Sequence, residues 1–198
     1  MMDADEIERL FTGQDGQFSC ARWGRPVAPV IFGLADQSLD IFRGAIRAGF
    51  AHARHPLAET DPEMGANLML FFLRDWQELE DVPDLDALTG QAGLPARLAA
   101  ASGGRGADHY RIFRFDADGG IRACLGFLRM SGALAEAHPA QLAEAVMMRS
   151  ALNFARDVQP SVSLAALIRA AYDPVLPVAS RDPSHALRLA ARMAAARS

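Results

Sequence analysis

The sequence predicts an α+β fold: a mixed, mainly antiparallel sheet with helices packed mostly on one face, closed by a C-terminal helix. Two observations carry this. Apolar spacing runs in the order strand, helix, strand, hairpin and then helices alone. The composition, 198 residues of which 51% are hydrophobic and 22% charged with a net charge of −4, fits one compact soluble domain rather than a disordered, collagen-like or disulfide-held chain. Residues 1–17 read as an acidic N-terminal segment, 18–178 as the domain and 179–198 as an Arg/Ala-rich C-terminal helix. No repeat of fixed period is visible.

The N-terminal segment holds one short helix, Asp5 to Phe11, before a turn at Gly13 to Gly16. Val27 to Gly33 is a β-branched apolar run in which Pro29 lacks a ladder donor, so an edge strand, or one beginning after Pro29, is expected. Leu39, Phe42, Ile46, Phe50 and Ala53 recur at steps of three and four and mark an amphipathic helix, with Asp36 or Ser38 as its cap. His55-Pro56 ends it. Asn67 to Leu73 is apolar on both faces, as a strand covered on both sides, or meeting a partner, would be. Between Asp75 and Asp86 lie six acidic residues and no basic ones, the pattern of a solvated helix or loop. Short Leu-spaced helical pieces then lead to a Gly-rich connection at 102–106. Tyr110 to Phe115 and Ile121 to Met130 flank Asp116-Ala117-Asp118-Gly119-Gly120 as a β-hairpin. Pro139 opens a long helix to about Arg156, Ser163 caps another reaching Ala171, and Asp182-Pro183 begins the last.

All 20 basic side chains are Arg, so Schiff-base lysine chemistry and a phosphate-loop lysine are excluded. A negative net charge with scattered arginines argues against a nucleic-acid binder, which needs a concentrated basic face. Cys20 and Cys124 have no metal-ligand spacing and read as buried, reduced thiols. Asp116-Ala117-Asp118-Gly119 opens like a calcium loop, but Ile121 stands where the loop's Gly belongs and Phe127 where its bidentate Glu belongs. His52 and His55 read as helix-end histidines rather than a zinc pair. No Gly-x-Ser-x-Gly elbow occurs. The expectation is therefore no metal and no cofactor. With no apolar run near the ~20 residues a bilayer requires, and an acidic start unlike a signal peptide, the expected location is cytoplasmic.

The helix from Pro139 is apolar around nearly its whole circumference, which marks central burial. Glu144 lies within that surface without an in-helix cation, so it belongs either at a wet margin or in a structural ion pair with Arg74, Arg111 or Arg129. Glu144, Ala143, Met147 and Met148 form the candidate pocket.

The motifs Ala21-Arg22-Trp23-Gly24-Arg25-Pro26-Val27, Ile121 to Met130 and Leu167-x-x-x-x-Tyr172-Asp173-Pro174-x-Leu176, together with the order of elements, resemble an uncharacterised proteobacterial family related to the zincin metalloproteases. The resemblance covers roughly 18–176 and implies a mixed sheet with an edge hairpin above an active-site helix. A zincin needs His-Glu-x-x-His, because two imidazoles hold the metal while the Glu activates its water. With Glu144 in the glutamate's place, the ligand positions hold Ala143 and Met147. The resemblance thus implies a zincin-like frame without its zinc.

The functional expectation is a cytosolic, non-catalytic protein that binds a protein or peptide partner, with no nucleic acid and no membrane. The segment from Arg181 carries four Arg against one Asp, and Arg188, Arg192, Leu189 and Met193 form the candidate partner surface, docking on a partner or on the chain's own domain. The alternatives are an enzyme using Glu144 with an arginine in a pocket, and a structural subunit of a larger assembly.

Overall fold

The computed structural model describes residues 2–102 and 108–196. Helix α1 (Ala4–Phe11) starts at Asp3, whose carboxylate accepts from the Glu6 N–H while Glu6 accepts from the Asp3 N–H, a reciprocal cap. Ile7 and Phe11 are fully buried, and Phe11 stacks on Phe154 with ring centroids 5.2 Å apart. The acidic N-terminal segment therefore shares the core of the domain.

Strand β1 (Cys20–Ala21) pairs antiparallel with β6 (Ala179–Ser180), near the other end of the chain. The main sheet contains β2 (Pro29–Phe32), β3 (Leu68–Leu73), β4 (His109–Phe115) and β5 (Ile121–Arg129) in the order β2-β3-β5-β4. Pro29 sits on an edge strand, where its missing donor is tolerated. The sheet is mixed, but β2–β3 and β3–β5 run parallel and only β4–β5 is antiparallel, so the expectation of mainly antiparallel pairing is corrected. The cause is α2 (Asp36–Ala53), long enough to carry the chain back to the starting edge as a crossover. Neither Asp36 nor Ser38 caps it. Ala35 is the extended N-cap residue and Asp36 lies in the first turn, beside the positive end of the helix dipole. Gly33 turns the chain into α2 at φ +83°, and a Cβ there would meet the Phe72 carbonyl oxygen at 2.0 Å.

The apolar character of β3 on both faces has an internal cause. Leu68, Leu70 and Phe72 join the large core with α1, α2, α6 (Pro139–Ala151), α7 (Val162–Ala171) and α8 (His185–Ala195). Phe71 and Leu73 join a second core on the opposite face with Trp76, Leu79, Leu85 and Leu94. Those residues come from a 3-10 turn (Trp76–Asp81), α3 (Leu85–Thr89) and α4 (Leu94–Ser102), so the acidic run is the wet side of a cover for the sheet. The Gly-rich connection at 103–106 lies outside the described residues. A short α5 (Gly132–Glu136) follows β5.

Helix α6 stops at Ala151, not near Arg156. Leu152 turns extended and bridges Arg22, the Asn153 side chain accepts from the Ala21 N–H, and the Tyr172 hydroxyl donates to the Ala151 carbonyl at 2.8 Å. These bonds satisfy the helix end with groups from β1 and the chain after α7. Ser161, not Ser163, caps α7, its hydroxyl accepting from the Leu164 N–H. The C-terminal helix is docked: Leu189 and Met193 are buried in the large core.

Candidate functional site

The residues read as a pocket around Glu144 do not enclose one. Ala143, Met147 and Met148 are buried, and Met147 packs against Gly49 of α2 so closely that a Cβ there would meet its sulfur at 2.1 Å. Glu144 is exposed, on a strip of α6 shared with Ala140 and Gln141. The structural ion pair is thereby corrected: among the described residues, Glu144 has no ion-pair partner within 4.0 Å. Arg129 instead binds Asp108 at 2.6 Å, Arg111 donates to the Arg149 carbonyl, and Arg74 is exposed. Among the described residues, no guanidinium reaches Glu144 for acid–base work.

The candidate partner surface on α8 is divided. Its apolar half, Leu189 and Met193, faces the chain's own core, which corrects the partner reading for these two residues. Arg188 pairs with Asp182 at 3.6 Å and Arg192 with Asp173 at 3.4 Å. The two histidines near the end of α2 diverge: the His52 ring meets the Ala165 carbonyl at 3.0 Å, while the His55 Nε2 donates to the Arg25 carbonyl at 2.8 Å. Among the described residues, no three His, Cys, Asp or Glu side chains gather to hold a metal ion. Cys20 and Cys124 are free and buried, and burial pushes both thiols up to about 12.

One charged cluster ties the start of the sheet together. Arg25 contacts Asp116 at 2.8 Å, Glu63 at 3.2 Å and Asp61 at 3.5 Å. Asp61 also accepts from the Glu63 and Met64 N–H groups and from Asn67. Burial alone would raise the Asp61 carboxyl, but those bonds and Arg25 outweigh it and hold the group below its ordinary range. Asn67, with no exposed surface, accepts from the Ala28 N–H and donates to the Pro26 carbonyl. Every polar group here has a partner, and no ligand is needed.

The cavity beside β4 differs. It measures about 530 Å³ and is lined by His109, Arg111, Arg149, Phe154 and Arg156, among others. β4 is an edge strand. The bond from the Arg129 N–H to the Asp108 carbonyl fixes the antiparallel alternation, so Tyr110 and Ile112 direct their peptide groups to β5. The peptide groups of His109, Arg111 and Phe113 then face the open edge, and their side chains line the cavity. Arg149 is satisfied by Asp157 at 3.0 Å and by the Val158 carbonyl. Arg111 has no carboxylate within ion-pair distance among the described residues, and burial leads the causes that lower its affinity for its proton. Burial, then Arg111 and Arg149, push His109 down to about 3, so its imidazole is neutral at pH 7. The arrangement can accept an anionic group at Arg111 and main-chain hydrogen bonds along β4.

Sequence reasoning missed this cavity. The available signals were the alternation of His109, Arg111 and Phe113 on one strand face and the lone Arg149 in an apolar helix. No protein-family model, no curated protein and no solved structure matches the chain. No described helix is long and apolar enough to cross a membrane.

Proposed function

We propose that this chain is a non-catalytic binding protein that receives an extended, carboxylate-bearing peptide segment along β4. The observation that carries it is Arg111: a guanidinium in the cavity wall, without a carboxylate partner among the described residues, directly under an open strand edge. An added strand would satisfy the outward peptide groups of His109, Arg111 and Phe113, and a carboxylate would complete the half-buried cation. The frame is read as zincin-like without zinc. The strand, helix, strand and edge hairpin that precede the buried α6 support that reading, as do Ala143 and Met147 at positions where imidazoles would be needed. The buried free thiols fit a reducing compartment, and the cytoplasm is the proposed location.

The test is fluorescence anisotropy of labelled extended peptides, acidic against amide-substituted, with the full chain and with Arg111→Gln. The acidic peptide should bind the native chain and lose about tenfold or more in Arg111→Gln, the scale of one charge-assisted pair. Equal affinity for both peptides, or self-association through β4 with no peptide affinity, would overturn the proposal.

A further inference from the structure

We infer a second ligand site, independent of the β4 edge, that takes a small soluble molecule bearing a phosphate or pyrophosphate group. It is the cavity of about 450 Å³ where the C-terminal ends of α2, α7 and α8 meet the segment after β1. Such a volume lies within the usual range for small-molecule sites, about 300–1,000 Å³.

Among the described residues four arginines line it: Arg22, Arg54, Arg169 and Arg192. Among the described residues the wall holds one carboxylate, Asp173, which is engaged with Arg192 at 3.4 Å. Arg22, Arg54 and Arg169 have no ion pair among the described residues. Helix C-termini attract arginines without any ligand, because each carries roughly half a negative charge. Three such ends with Asp173 still do not offset four guanidiniums, and the remainder calls for a multiply charged anion rather than a single carboxylate.

Two further features point to an absent partner. The Nε of Arg22 is buried without a hydrogen-bond partner and its Nη1 reaches only the Trp23 carbonyl at 3.4 Å, so the chain itself satisfies this guanidinium weakly. Its guanidinium is held 5.7 Å from the Tyr172 ring centroid, over a ring fixed by its own hydroxyl bond to Ala151. Arg54, the C-cap of α2, adopts a left-handed backbone, φ 56° and ψ 38°, at a position that favours glycine. The arginine thus sets a further guanidinium in the cavity wall at a backbone position where glycine would be less strained. Planar guanidiniums suit phosphate oxygens, which they bind in pairs of parallel hydrogen bonds.

The experiment is calorimetric titration of the full chain with pyrophosphate and with inorganic phosphate, beside Arg169→Gln, Arg22→Gln, Arg54→Gly and the control Arg43→Gln. The expected result is one-to-one binding, tighter for pyrophosphate, weakened tenfold or more in Arg169→Gln and Arg22→Gln and unchanged in Arg43→Gln. Arg54→Gly should raise the thermal midpoint of the ligand-free protein and yet weaken binding. Arg169→Gln keeps the test decisive if Arg22→Gln fails to fold. Absence of heat with pyrophosphate, or an equal loss in Arg43→Gln, would overturn the site. So would sedimentation with phosphatidylcholine vesicles containing phosphatidic acid by a protein that ignores soluble pyrophosphate.

Discussion

Arg22 and Arg25 stand three residues apart and meet opposite surroundings. Arg25 faces three carboxylates, and the buried Asn67 and Asp61 behind them have every polar group engaged. Among the described residues Arg22 pairs with none; its cavity neighbours include a tyrosine ring, other arginines and a histidine. Matched charge of the first kind holds the entry to β2 and the loop before β3 in one geometry. Charge of the second kind adds little to the fold and is left for something outside the chain. Arginine content alone says nothing about which role applies, since both sit in one seven-residue motif.

Substitutions should separate the two settings, beginning with the most damaging. Asn67→Ala orphans the Ala28 N–H and the Pro26 carbonyl, leaves Asp61 Oδ2 with Arg25 alone, and should cost about 3 kcal/mol in urea unfolding. Arg25→Gln leaves Asp61, Glu63 and Asp116 facing one another. Because Arg25 is partly exposed, the expected loss is about 2 kcal/mol, less than for a fully buried pair. If Arg25→Gln were neutral, the matched cluster would not be structural.

The cavity beside β4 is an intermediate case, in which burial, aided by Arg111 and Arg149, holds a histidine neutral. The unfolded chain binds a proton at His109 below about pH 6.5, whereas the folded chain does so only near 3. Its contribution is thus intact above pH 6.5 and is lost as pH falls toward 3, by up to about 1.4 kcal/mol per pH unit. His109→Asn should flatten that part of the pH–stability curve, and an unchanged slope would place the titration elsewhere.

The smallest effects belong to the unmatched arginines. Arg54→Gly should stabilise the ligand-free protein by about 1 kcal/mol, because it removes the left-handed strain. Arg169→Gln should fall within about 0.5 kcal/mol of the native chain. A loss as large as that of Arg25→Gln would erase the distinction between matched and unmatched charge.

Much of the architecture was legible in residue order. The hairpin at 116–120 and the amphipathic α2 announced themselves through turn residues and 3.6-residue spacing, signals that are local. The parallel β2–β3 pairing was within reach of the sequence, since an 18-residue helix between two strands implies a crossover, yet the order of elements was read as a mixed but mainly antiparallel sheet. The end of α6 was not legible. Phe154 and Val158 stay buried after the helix ends, and apolar spacing cannot tell a buried extended segment from another helical turn. The exposure of Glu144 followed from its neighbours Ala140 and Gln141, which are too small or polar to bury a face. The arginines at 22, 54, 169 and 192 come from four separate elements, and only the packed ends of α2, α7 and α8 gather them.

The most direct test of the proposed peptide site follows the backbone amides of residues 109–113 by NMR while an extended acidic peptide is titrated into the full chain. The amides of His109, Arg111 and Phe113 should shift and exchange more slowly with solvent, and Arg111→Gln should need about tenfold or more peptide for the same effects. Amides that stay unchanged, or that respond equally in Arg111→Gln, would contradict a peptide held at the open edge of β4 by an arginine that has no carboxylate partner among the described residues.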